Sequence, residues 1–381
     1  MNKNRLLLSA PGSGKTTLIV NEILAGDGSQ TLITTYTESN AEEIKQKFIS
    51  KRGSVPGHVT ILPWFSFLLK HGVRPYQFSM DSSLEDVKIG FYLQQGKSGR
   101  RGTNRFGQPL YWGEEDFKKF YFTKDYKIYS DKISKFIYTC NKGRVNGEVV
   151  KRISRMFTNI YVDEVQDLAG WDLELILLFF KSESNVTLVG DPRQTIYATN
   201  DGGKHKTYRG GRIDSFLKEK GGNRLSYHED TETLKKSHRN NRVICDFSSL
   251  LFPDYSPTEE CSCDNCVHTD SRMGIFLVHE DDLGAYKKNL PNNISLRWSG
   301  SGDDEMNFGI SKGKTFDHVI IRPTEKMIEY LKAGDLKVFD SVETLSKLYV
   351  AITRARFSVA FIYDHHNNDH YNFQNMSIWD Q

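Results

Sequence analysis

A short apolar run, Arg5 to Ser9, leads into Ala10-Pro11-Gly12-Ser13-Gly14-Lys15-Thr16 and then into a helix-periodic stretch from Thr16 to about Ala25. No other feature limits the architecture of this chain as strongly. Small residues let backbone N–H groups converge on phosphate oxygens, a lysine adds a mobile cation, and a neighbouring hydroxyl can ligate Mg2+. Strand, loop and helix in that order belong to a parallel sheet whose ligands gather where its strands end. The loop fits the phosphate-loop pattern when extended back to Ser9, with Ala10 in place of the first glycine of the consensus. Candidate nucleotide-binding residues are therefore Ala10, Pro11, Gly12, Ser13, Gly14, Lys15, Thr16 and Thr17, with Thr16 also a candidate Mg2+ ligand.

The alternation continues. Thr31 to Tyr36 reads as a strand, Ser39 to Ile49 as a helix, Val59 to Leu62 as a strand and Phe65 to His71 as a helix. After a break the pattern returns with a strand at Asn159 to Val162, a helix at Leu173 to Phe180 and a strand at Val186 to Gly190. A second α/β region begins near Leu225, with helices near Asn241 to Leu251 and Ser346 to Thr353 and strands at Met273 to His279, His318 to Arg322 and Ser358 to Tyr363. Asp201 to Lys206 and Ser299 to Asp304 read as loops, and the polar tail after His365 as frayed. The expected fold class is α/β: a first core at 1–75 and 158–224, a basic, mostly helical insertion at 76–157, and a second core at 225–381.

The chain carries 51 basic and 48 acidic residues, so net charge says little about partners, whereas its distribution says more. Residues 76–157 hold 16 Lys or Arg against 9 Asp or Glu, with 16 aromatics interleaved. Such a segment can track a phosphate backbone while rings stack on bases, or it can be a solvated basic face over an aromatic core. The most apolar stretch, Leu173 to Phe180, is interrupted by Glu174 and falls far short of the ~20 residues that span a bilayer. Nothing in the sequence directs the chain out of the cytoplasm, and five cysteines are too few for a disulfide framework. Cys261, Cys263, Cys266 and His268 nevertheless place four soft donors within eight residues, which reads either as a tetrahedral zinc site or as a reduced loop.

Tyr161-Val162-Asp163-Glu164 ends an apolar strand with two carboxylates. There Asp163 can hold Mg2+, and Glu164 can act as general base toward water.

At this point the motifs resemble a family. Asp163-Glu164-Val165-Gln166-Asp167 and Gly190-Asp191-Pro192-Arg193-Gln194-Thr195-Ile196-Tyr197 are similar to the second and third signature motifs of the UvrD/Rep branch of superfamily 1 helicases. Thr35-Tyr36-Thr37 with Ala41 and Glu43 resembles that family's early DNA-contacting motif. Ser237-His238-Arg239-Asn240 resembles the fourth, Ser311-Lys312-Gly313 with Phe316 the fifth, and Leu348 to Arg356 the sixth. The resemblance implies two RecA-like ATPase cores, ATP and Mg2+ as ligands, and single-stranded DNA or DNA ends as partner. It further implies that Gln194 senses the γ-phosphate, that Arg239 and Arg354 supply cations to it, and that Tyr36, Trp64, Tyr208 and Arg209 contact DNA. For Trp64 and Phe65 core packing is the stronger reading, and the alternative for Tyr208 is an anchor of its loop.

The sequence also departs from the family. Only Met1 to Asn4 precede the first strand, where the family carries an adenine-recognising Gln segment, so adenine selectivity comes from elsewhere, with Tyr197 the candidate for stacking on the base, or is loose. Thr315 stands where a Glu near the ribose is common, and Ala198 to Thr207 intervene before Tyr208-Arg209-Gly210. A short span separates Arg239 from Lys312, where larger relatives carry an extra domain. The expectation is an ATP-dependent helicase or translocase on single-stranded DNA, moving 3′ to 5′. The alternative is a nucleotide-gated DNA-sensing subunit that regulates a partner nuclease. A small-molecule kinase leaves Gln194, Arg239 and Arg354 without a role.

Overall fold

The computed structural model describes residues 4–196, 199, 203–222, 225–264, 266, 270, 272–300, 305–363 and 376–379. The chain divides into two compact units, the first comprising Met1–Leu7, Thr16–Gly190 and Tyr197–Asp230, the second Leu8–Lys15, Asp191–Ile196 and Thr231–Gln381.

The first six-stranded sheet runs in the order His228–Leu234, Arg5–Ser9, Asn185–Gly190, Asn159–Asp163, Thr31–Thr35, Val59–Pro63. Its members from Asn185–Gly190 to Val59–Pro63 pair in parallel. Parallel strands are covered on both faces, so they read as near-continuous apolar runs; Leu32, Ile33, Ile160, Val162, Leu188 and Val189 are all buried. The helix Glu38–Arg52 starts where the Thr37 hydroxyl accepts the Asn40 N–H and ends at Gly53, whose φ of 85° suits glycine. The expected helix Phe65 to His71 is instead one α-turn, Trp64–Phe67, continuing as a π-helical stretch, Leu68–Val73. Residues 76–157 carry the helices Ser130–Gly143 and Glu148–Met156 and two small two-stranded sheets.

The second sheet lies wholly in the second unit and is parallel throughout: Glu305–Asn307, Asn293–Arg297, Phe316–Arg322, Ala355–Ile362, Gly274–Val278, Met376–Ile378. Ile275, Leu296, Val319, Ile321, Val359 and Phe361 build its core with the helices Arg242–Ser249 and Val342–Ile352. The fold class is thus α/β with two parallel sheets, as two RecA-like cores require. Met376–Ile378 corrects the expectation of a frayed tail, because its backbone extends the sheet beside Ile275–Leu277. No helix among the described residues is long and apolar enough to cross a membrane.

Candidate functional site

The helix Lys15–Ala25 opens with the loop's lysine and threonine, and from Thr16 on it belongs to the first unit. The Thr16 hydroxyl lies 3.5 Å from Asp163 Oδ2, which brings both predicted Mg2+ ligands together, and two hard oxygen donors suit that ion. Asp163 is buried and its other oxygen accepts the Glu164 N–H at 2.9 Å. Glu164 is half-buried, accepts a hydrogen bond from the Gln166 amide, and sits at φ 56°, ψ 40°. A non-glycine residue in that left-handed region costs about 1 kcal/mol or more, and such strain collects at functional positions. Gly190 makes room for this arrangement, since a side chain there would run into Gln166 and Val165.

In the second unit the loop's carbonyls are held by the segment that carries Arg239. Ala10 N–H donates to Leu234 O, the Ser237 hydroxyl to Pro11 O and His238 N–H to Gly12 O, at 2.7, 2.7 and 3.0 Å. Gly12 has φ 68°, and a Cβ there would come within 2.6 Å of Arg239 Cβ, so glycine is required twice over. Arg239 donates to Thr353 O, while Arg354, 2% exposed, donates to Val350 O and, at 3.0 Å, to Gln194 Oε1. Gln194 in turn donates to Asp191 Oδ2 at 2.9 Å. Within one unit, therefore, the structure joins Gln194 with Arg354 and the loop with Arg239.

Sequence reasoning assigned no role to Asp191 and Arg193, both buried, which pair at 2.8 Å beneath the loop; Arg193 also donates to Ser9 O. Burial works against the guanidinium charge, but Asp191 outweighs it and holds the Arg193 pKa above its ordinary value. The charged Pro-Arg step after Asp191 was a readable signal for this pair.

The predicted DNA contacts divide. Tyr36 is half-buried, edge-on to Phe65, and Arg209 is likewise half-buried. Trp64 is corrected: it is 1% exposed and its indole N–H donates to Asp172, so it packs the core. Tyr208 is also buried, set against His205 and Phe216 with its hydroxyl on Glu219, which is the anchor arrangement. Tyr197 and His268 lie outside the described residues. The basic segment keeps Lys118, Lys119 and Lys124 exposed, with Lys119 Nζ 4.0 Å above the Trp112 ring.

A model of the UvrD/REP helicase N-terminal domain matches residues 116–220. Among curated proteins the chain is 26% identical over 231 residues to the ATP-dependent DNA helicase Rep of Buchnera aphidicola, covering 51% of this chain and 35% of that protein. It is 26% identical over 243 residues to a probable DNA helicase of Mycoplasma pneumoniae, covering 51% and 45%. The chain thus spans less than half the length of these relatives. Among solved structures, an Arterivirus nonstructural protein 10 helicase with DNA aligns with TM-score 0.45 and 15% identity over 96% of this chain and 62% of that one. The stretch 116–220 takes in Asp163, Glu164 and Gln194, the residues that the motif spacing singles out, and over that stretch the chain is similar to the UvrD/REP helicases.

Proposed function

We propose that the chain is an ATP-hydrolysing DNA motor, a helicase or translocase that steps 3′ to 5′ on single-stranded DNA. The observation that carries this reading is the seating of the phosphate loop on the Ser237–Arg239 segment, with Arg354 bonded to Gln194 in the same unit. A phosphate loop that served a small-molecule kinase has no need of that coupling.

In this reading the loop N–H groups and Lys15 hold the phosphates of ATP. Thr16 and Asp163 would hold Mg2+, which when bound neutralises phosphate charge. Glu164 takes the proton of the attacking water, its carboxylate aimed by the left-handed backbone and the Gln166 amide. Gln194, Arg239 and Arg354 stabilise charge on the γ-phosphoryl oxygens, where a planar fork of donors is worth most. The names of the relatives favour a motor over a nuclease-regulating sensor.

The test is ATP turnover with and without single-stranded DNA, together with a translocation assay on end-labelled strands. Turnover that rises with DNA and a 3′ to 5′ bias support the reading. Equal turnover across DNA lengths and ends overturns it.

A further inference from the structure

We infer that the second unit contains a structural zinc site whose ligands are Cys261, Cys263, Cys266 and His238. The two-residue strands Lys236–Ser237 and Glu259–Glu260 pair in parallel with Ser237 opposite Glu260, so the next residue of each, His238 and Cys261, emerges side by side. The Cys261 N–H donates to Ser237 O at 2.9 Å and continues that ladder. Cys263 and Cys266 have the two-residue spacing common in zinc turns, closed by the Cys266 N–H on Cys263 O at 3.1 Å.

The four ligand atoms all lie within 4.8 Å of one another. His238 Nδ1 is 3.3 Å from Cys266 Sγ and 3.7 Å from Cys263 Sγ, and the two sulfurs are 3.1 Å apart. That separation is far beyond the ~2.05 Å of a disulfide. The nitrogen-to-sulfur distances bracket the ligand-to-ligand edge of about 3.5 Å in a tetrahedron with Zn–S near 2.3 Å and Zn–N near 2.0 Å, and the two sulfurs would part to about 3.8 Å around the ion. The Cys263 N–H also points at Cys261 Sγ, 3.4 Å away, the kind of donor that supports a metal-bound thiolate. Three thiolates and one imidazole fill all four positions, so the site is closed and structural, and a mixed sulfur and nitrogen set favours zinc. The ion would clamp residues 261–266 to His238, the neighbour of Arg239. The effect of that clamp on the phosphate loop rests on the function proposed above, but the metal site itself does not.

The experiment uses the full chain purified without chelator, with elemental analysis of the protein and of three variants, Cys263→Ser, His238→Ala and His268→Ala. Cobalt is titrated into the metal-free parent, which reads the site even if a variant fails to fold. Expected are about one zinc per chain in the parent and in His268→Ala, and loss of most of it in the other two. Cobalt should give the visible bands of a tetrahedral site with thiolate-to-metal charge transfer. Zinc far below stoichiometry together with a featureless cobalt titration overturns the site. So does retention in His238→Ala with loss in His268→Ala, which would move the fourth ligand into the local cysteine loop. Neither readout depends on ATP hydrolysis, so a failed motor assay leaves this test intact.

Discussion

The two units handle charge in opposite ways. In the first, Asp163 and Glu164 follow a strand directly, Asp163 beside the Thr16 hydroxyl and Glu164 half-buried on strained backbone, where it accepts from the Gln166 amide. In the second, Arg354 is buried and its donors already engage Val350 O and Gln194 Oε1, while Arg239 engages Thr353 O. The carboxylates are placed by the end of a strand and one strained turn. The arginines are placed by the fold, so their position is set by packing before any nucleotide is considered.

That contrast breaks first at Arg354. Arg354→Ala should lower ATP turnover by about 10³-fold, the lower end of what an arginine on the γ-phosphate supplies. Arg354→Lys should not restore it, because a single ammonium cannot serve Val350 O and Gln194 together as a guanidinium does. The measurements are turnover, ATP affinity and unfolding midpoint. Turnover within a few-fold of the parent would make Arg354 a packing tether and remove the asymmetry between the units.

Glu164→Gln probes the other side, with an expected loss of about 10²–10³-fold in turnover and retained ATP binding, the signature of a missing base. Lys15→Ala should weaken nucleotide binding as well. Parent-rate hydrolysis by Glu164→Gln would reassign the base.

Legibility in the sequence follows the same physics. Buried parallel strands announce themselves as apolar runs, which is why Thr31–Thr35, Asn159–Asp163 and Ala355–Ile362 were readable within a few residues. Asn293–Arg297 and Met376–Ile378 were missed, because polar residues alternate there and only the neighbouring strand supplies the reason to extend. The motifs name residues but not company. Nothing local shows that Arg354 meets Gln194, or that Trp64 turns inward to a buried carboxylate. Nor could local spacing find His238, which comes beside the cysteines because two short strands pair.

A smaller effect is expected from the basic segment 76–157 of the first unit. Lys118, Lys119 and Lys124 are exposed, so neutralising them together leaves the core untouched. On single strands each phosphate contact contributes about 0.7 to the slope of log affinity against log salt, so the triple variant should flatten that slope by up to about 2. Basal ATP turnover should survive. An unchanged slope would place the DNA track elsewhere.

The smallest effect concerns one buried histidine in each unit. His71 lies in the π-helical stretch, its ring 5.9 Å from Phe67 and 5.5 Å from Phe157, and neither ring nitrogen has a hydrogen-bond partner among the described residues. Burial, reinforced by Lys70 and Arg152, pushes its pKa down to about 4. His318 is also lowered by burial, but Asp270 and Asp317 oppose the shift and its Nδ1 lies 2.8 Å from the Ser358 hydroxyl. Between the ordinary histidine value near 6.5 and about 4, the unfolded chain binds a proton at position 71 that the folded chain does not. Stability contributed by neutral His71 is therefore complete above pH 6.5, falls as the pH drops toward 4 and levels off below it. The expected loss is up to about 2 kcal/mol by pH 5. Urea midpoints at pH 7, 6 and 5 should show His71→Phe shedding part of the acid slope and His318→Gln shedding less. Equal slopes in parent and His71→Phe would mean that the ring is protonated in place and that its aromatic surroundings are not closed to water.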